Sequence, residues 1–122
     1  YDSNKKELLL ANAGHEPPII YSKDGSFSNY TEAGPPLGIM PNTKYTEHKI
    51  TFEDSSMYIF TDGITEIKSP KGDMLGSEGF QNYIKKYQST PNNERLKTII
   101  DEILKEGHVQ KDDLTIVVVD SK

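Results

Sequence analysis

The chain has 122 residues, with 14 Lys plus Arg against 19 Asp plus Glu, no cysteine and a formal net charge of −5. An acidic balance argues against a general nucleic-acid binder, whose affinity comes from a basic face. The lack of cysteine excludes disulfides, thiolate zinc sites and a cysteine nucleophile. No apolar run approaches the roughly 20 residues of a membrane span, and the opening YDSNKKELLL lacks a signal-peptide pattern, so the expectation is one soluble, cytoplasmic domain over 1–122.

Leu8 to Ala11 reads as a first strand and Ile19 to Tyr21 as a second. Lys23-Asp24-Gly25 is a hairpin-turn signal, with Phe27 to Thr31 as the returning strand. Gly34-Pro35-Pro36-Leu37-Gly38-Ile39-Met40 carries no catalytic side chain and reads as a rigid scaffold loop lining a groove. Thr43 to Phe52 alternates and fits a strand with one wet face. Met57 to Phe60 is continuously apolar, as is Ile116 to Val119 after Leu114, and each fits a strand buried on both faces. Between them lie two helical stripes. Phe80, Tyr83, Ile84 and Tyr87 follow Ser77, a suitable N-cap, and Leu96, Ile99, Ile100, Ile103 and Leu104 follow Asn92 or Asn93. Gly107 suits the position after the second helix. Strands, two helices and a last strand make an α+β chain: a mainly antiparallel sheet with helices packed on one side.

Three stretches could carry chemistry. Thr61-Asp62-Gly63 follows the apolar strand, so a carboxylate at a rigid strand end and a plain Asp-Gly turn both remain open. Lys111-Asp112-Asp113 precedes the last apolar run and reads either as a solvated turn or as paired functional acids. If the two strands pair antiparallel, Asp62 and the Asp112-Asp113 pair fall at the same end of the sheet. Crowded carboxylates repel and call for a cation, and oxygen ligands favour Mg²⁺, Mn²⁺ or Ca²⁺ over zinc. In Asn12-Ala13-Gly14-His15, small residues and a Gly precede a histidine that could contact a phosphate or simply stabilise a turn.

Taken together, ANAGHEPPIIY at 11–21, AGPPLGI at 33–39, YIFTDGITEIKSPKGDMLGSEGF at 58–80 and KDDLTIVVV at 111–119 resemble one family. They are similar to the C-terminal half of the PPM-class metal-dependent protein phosphatases, in the bacterial branch typified by SpoIIE and RsbU. The resemblance implies part of an αββα sandwich, with mainly antiparallel sheets flanked by helices. It implies hydrolysis of phosphoserine or phosphothreonine on a regulatory protein, such as an anti-sigma factor antagonist, by water activated between two Mn²⁺ or Mg²⁺ ions. Asp62 and Asp112 match the catalytic metal-ligand acids, Asp113 occupies the supporting position of the same metal motif, and His15 and Asn12 lie in the stretch assigned to substrate. An upstream sensor domain in the full-length protein is implied as well. The family's early acidic motif has no counterpart in the chain. The expectation is therefore an incomplete domain that binds metal weakly, hydrolyses phosphoesters poorly by itself and self-associates as a possible homo-oligomer. The competing reading is a catalytically inactive, phosphatase-like protein-binding module.

Overall fold

The computed structural model describes residues 1–121. In chain order the elements are β1 (Glu7–Leu10), β2 (Ile19–Tyr21), β3 (Phe27–Asn29), β4 (His48–Thr51), β5 (Ser56–Phe60), α1 (Asp62–Thr65), α2 (Gly76–Tyr87), α3 (Asn92–Lys105) and β6 (Ile116–Asp120). β1 pairs with β4, and the other strands form a sheet in the order β3-β2-β5-β6. The α+β class read from the sequence is the one observed. Among the described residues no helix is long and apolar enough to cross a membrane. By internal contacts the described residues divide into two units, one of residues 1–59 with 119–121, the other of residues 60–118.

The first unit is built on antiparallel pairing. β1 and β4 align Leu8 with Ile50 and Leu10 with His48. β2 pairs with β3 on one side and with β5 on the other, setting Ile19 against Tyr58. Ile20, Ile50, Phe52 and Met57 form its core, with Leu8, Leu10, Tyr30 and Ile59 packed around them. The hairpin turn is where the Asp-Gly signal puts it. Gly25 has φ +84°, and Gly25 N–H donates to Ser22 O at 2.9 Å. The Asp24 carboxylate accepts from the Ser26 hydroxyl at 2.6 Å and from its N–H at 2.9 Å. Those bonds, the hydroxyl's first, hold the Asp24 carboxyl below the usual carboxylate range. A depressed carboxyl stabilises the fold above its unfolded pKa, and the contribution disappears as pH falls through the folded one.

Thr43 to Phe52 reads as one strand in the sequence, yet only His48–Thr51 is extended in a ladder. The preceding residues serve the Gly34–Pro36 loop instead. Tyr45 donates its hydroxyl to Pro35 O at 2.8 Å, and its ring lies where a side chain on Gly34 would sit, 2.6 Å from an added Cβ. The loop beyond does not line a groove with its apolar side chains: Leu37 and Ile39 are 77% and 69% exposed.

In the second unit Ile64, Ile67, Phe80, Ile84, Ile99 and Ile103 are buried, and Phe60 meets Phe80 edge to face at 5.3 Å. Both helical stripes thus face a core, with Leu104 left at the margin. The caps differ from expectation. α2 opens on Gly76, whose φ of +68° brings the chain in left-handed, so Ser77 already lies inside the first turn and caps nothing. Pro91, locked near its ring-imposed φ, takes the N-cap place of α3, and its carbonyl accepts from Glu94 and Arg95 N–H at 2.9 Å. Asn92 and Asn93 fall in the first turn. Gly107 does end α3, with φ +83° and its N–H on Leu104 O at 3.1 Å. Tyr83 of the α2 stripe donates its hydroxyl to the Glu106 carboxylate. Burial first, and then that carboxylate, push the phenol's pKa up.

β6 departs most from its reading. It is the last strand in the sheet order, and its burial alternates, with Val117 48% and Val119 42% exposed. A strand with period-two alternation covers a core with one face only, so this run is not buried on both faces.

Candidate functional site

The second unit brings the two acidic stretches together. Thr61 leaves β5 in extended conformation and its N–H donates to Thr115 O at 3.1 Å. Thr115 N–H in turn donates to Thr61 Oγ1 at 3.1 Å. Thr61 therefore stands opposite Thr115, as antiparallel pairing of β5 with β6 requires. Asp62 opens the short helix α1 rather than a plain turn.

Gly63 is needed for closeness, not for a turn. It is buried and has no left-handed φ, and a Cβ built on it would lie 2.2 Å from Asp113 O and 3.1 Å from Asp113 C. Real Cβ atoms do not come so near a carbonyl oxygen, so only glycine lets α1 rest against the Asp112–Leu114 backbone. Asp113 contributes through its main chain. Its carbonyl faces Gly63, and its N–H donates to Asp112 Oδ1 at 2.7 Å, which orients that carboxylate. Asp112 O accepts from Gln110 Nε2 at 3.0 Å. Asp62, Asp112 and Asp113 are all exposed.

Beside them lies a cavity of about 250 Å³ lined by Gly63, Glu66, Lys68, Met74, Lys111 and Asp112. Its walls are fastened by a two-way bridge, Lys68 N–H to Val109 O at 3.3 Å and Val109 N–H to Lys68 O at 2.8 Å. Sequence reasoning misses Glu66, Lys68 and Lys111 as site residues. The signal that could find them is position: Glu66 and Lys68 follow the Asp-Gly pair within six residues, and Lys111 directly precedes the acids.

As cation ligands these donors are few. Among the described residues no group of three or more ligating side chains gathers. Asp62 and Asp112 offer two oxygen ligands of the hard kind. That fits an ion of the Mg²⁺ type, which takes one or two carboxylates and otherwise keeps water and substrate phosphate around it.

The remaining two candidates belong to the first unit. Asn12 is 7% exposed and ties a loop shut from both ends of its amide. Its Nδ2 donates to His15 O and its Oδ1 accepts from His15 N–H, each at 2.8 Å, while Asn12 O accepts from Gly34 N–H at 2.9 Å. Gly14 completes the loop with φ +83°, where a Cβ would meet Pro36 Cγ at 2.9 Å. The geometry gives Asn12 a positioning role. The His15 ring is exposed, with Nδ1 3.0 Å from Glu16 O. A carbonyl only accepts, so Nδ1 is the donor in this contact. A hollow of about 220 Å³, lined chiefly by apolar residues such as Leu10, Pro18 and Ile59, adjoins this loop. Asn12→Ala is expected to lower stability by about 1–3 kcal/mol, because the loop's paired backbone groups lose their partners. A thermal melt of the full-length protein reads this, and an unchanged midpoint would refute the positioning role.

Comparison with known proteins identifies the family and the fold. The chain is 33% identical to phosphoserine phosphatase RsbU of Bacillus subtilis, over 100% of its own length and 37% of that protein. It is 30% identical to Protein IcfG of Synechocystis sp., over 97% of its length and 19% of IcfG. The SiaA-PP2C domain of Pseudomonas aeruginosa superposes with a TM-score of 0.79 at 21% identity, covering 99% of this chain and 49% of that domain. A manganese-presoaked phosphatase domain of SpoIIE from Bacillus subtilis gives 0.69 at 18% identity, over 98% of this chain and 52% of its own. The chain thus spans about half the length of these solved domains and 37% or less of the curated relatives. The fold is of the PP2C type, the architecture that the PPM resemblance implied. The match to the family described as Stage II sporulation protein E runs over residues 1–122, and the chain belongs to that family.

Proposed function

We propose that this chain supplies acid-bearing machinery to a metal-dependent phosphatase acting on phosphoserine or phosphothreonine of a cytoplasmic regulatory protein. The observation that carries the reading is the junction of the two acidic stretches, held by the Thr61–Thr115 bonds and by the approach of Gly63 to Asp113 O. The naming of RsbU as a phosphoserine phosphatase supports the substrate class, and the manganese soak of the SpoIIE domain supports the choice of Mn²⁺ or Mg²⁺.

In this reading Asp62 and Asp112 hold the cation and Asp113 fixes the Asp112 carboxylate through its N–H. When bound, such an ion lowers the pKa of a coordinated water and offsets charge on the phosphoryl group. The chain's own contribution is positional. The Thr61–Thr115 bonds tie the entry to α1, which carries Asp62, to the segment that follows Asp112 and Asp113, so the two acidic stretches are held side by side. A second ion would require oxygen ligands beyond the two carboxylates named.

One observation favours the competing reading of a non-catalytic module: fewer than three ligating side chains converge among the described residues. Hydrolysis of an aryl phosphate by the full-length protein, with Mn²⁺ and then with excess EDTA, separates the two. Turnover that EDTA abolishes is expected. Absence of metal-dependent turnover on both the aryl phosphate and a phosphoprotein would leave the module.

A further inference from the structure

We propose that Lys68 and Lys111 form a clamp for a phosphate monoester, holding the phosphoryl group in the cavity that Asp112 borders. The proposal deepens the phosphatase reading and rests on it for the identity of the substrate. Its grounds are in the cavity itself.

Lys86, Lys97 and Lys105 of the second unit pair with Glu102 or Asp101. Lys68 and Lys111, by contrast, both line the cavity and make no ion pair among the described residues. In a chain of net charge −5, two lysines that line one cavity and form no ion pair among the described residues are available to a ligand.

Their placement is fixed by the backbone. Lys68 bridges to Val109 on one side and to Met74 on the other, so its Cα is held from both flanks. Lys111 stands two residues beyond the Val109 bridge, beside Asp112. The clamp therefore draws one lysine from each side of the Lys68–Val109 bridge. Two ammonium groups match the charge of a phosphate monoester dianion, and lysine binds phosphate as a compact point charge with three donors.

Glu66 and Asp112 line the same cavity and balance the two lysines. A net-neutral cavity gives a free anion little overall attraction. It suits an anion that arrives with a cation of its own, and a phosphate beside a divalent ion meets that condition. The cavity, at about 250 Å³, has ample room for a phosphoryl group of one phosphorus and four oxygens.

The test uses the full-length protein and inorganic phosphate as probe, in the presence of MgCl₂, with binding read by titration calorimetry or ³¹P NMR line width. Lys111→Gln and Lys68→Gln are each expected to weaken phosphate binding about tenfold, the usual order for one charge-assisted contact. Lys111→Arg should stay within about twofold of the parent, since the positive charge is kept. In steady-state hydrolysis of p-nitrophenyl phosphate the two Gln variants should raise KM by the same factor and leave kcat within about twofold, the pattern of lost binding common to ground and transition states. Lys111 is exposed, so its variant folds even where Lys68→Gln disturbs the bridge.

Phosphate affinity unchanged in both Gln variants, or no phosphate binding by the parent protein, overturns the clamp. Lysine-dependent phosphate binding without hydrolysis keeps the clamp and overturns the phosphatase reading. Hydrolysis with KM and phosphate affinity indifferent to both lysines keeps the phosphatase and removes the clamp.

Discussion

Asp62→Asn is expected to cut metal-dependent phosphatase activity of the full-length protein by a factor on the order of 10² to 10³. The change replaces a carboxylate oxygen with an amide nitrogen at nearly constant shape, so it removes charge and a hard ligand and little else. Asp62 is exposed, and among the described residues its carboxylate makes no hydrogen bond or ion pair. Surface changes of that kind stay within about 0.5 kcal/mol. The melting midpoint should therefore hold while turnover falls. Activity near the parent level would remove Asp62 from the machinery, and a collapse of the melt would mean that it serves the fold.

Gly63→Ala is expected to harm both stability and turnover. The new methyl group would lie 2.2 Å from Asp113 O, and its neighbour is backbone, with no rotamer to move aside. Relief requires α1 to withdraw from the Asp112–Leu114 segment, at a cost of about 1–3 kcal/mol for forced overpacking. Withdrawal also separates Asp62 from Asp112. Asp113→Ala is the control, because it keeps the carbonyl that touches Gly63 and the N–H that orients Asp112. Its stability should stay within about 0.5 kcal/mol of the parent. Equal melts for the Gly63 and Asp113 variants would show that the approach is looser than the backbone indicates. Thermal melts and aryl phosphate kinetics on the three proteins decide between these outcomes.

Much of this architecture is legible in the amino-acid order alone. Period-3.6 stripes announce α2 and α3, and the Asp-Gly pair locates the β2–β3 turn, because both signals depend on local geometry. The pairing of β5 with β6 enters the sequence reading only as a condition under which the acids share one end, and the structure meets it. What stays hidden depends on distant partners. Tyr45 interrupts the expected strand because it packs against Gly34, 11 positions earlier. Ser77 looks like a cap until the left-handed Gly76 moves the helix start ahead of it. Ile116 to Val119 reads as buried on both faces because valine does not announce which side of a sheet is open. Gly63 stands out in the sequence, but the reason for it does not, since the clash it avoids lies with a carbonyl 50 positions away. Lys68 and Lys111 fall in the same class: isolated lysines in the sequence, they become a pair only through the Val109 bridge.

The sameness of Ile116, Val117, Val118 and Val119 has a further effect. Sliding this run one step along β5 would exchange its inner and outer side chains for others of nearly equal size and greasiness. Hydrophobic contact alone hardly opposes such a shift, which is the weakness of strands with uniform composition. Side-chain hydroxyls oppose it: Thr61 offers Thr115 N–H an acceptor at one position only, and the Ser56 hydroxyl donates to Asp120 Oδ1 at 2.6 Å. A slipped chain would carry Asp112 roughly 3.3 Å from its place and turn it to the other side of the strand. It would keep much of its hydrophobic contact, but with its acids out of frame. A few hydroxyl bonds thus separate a working arrangement from an idle one.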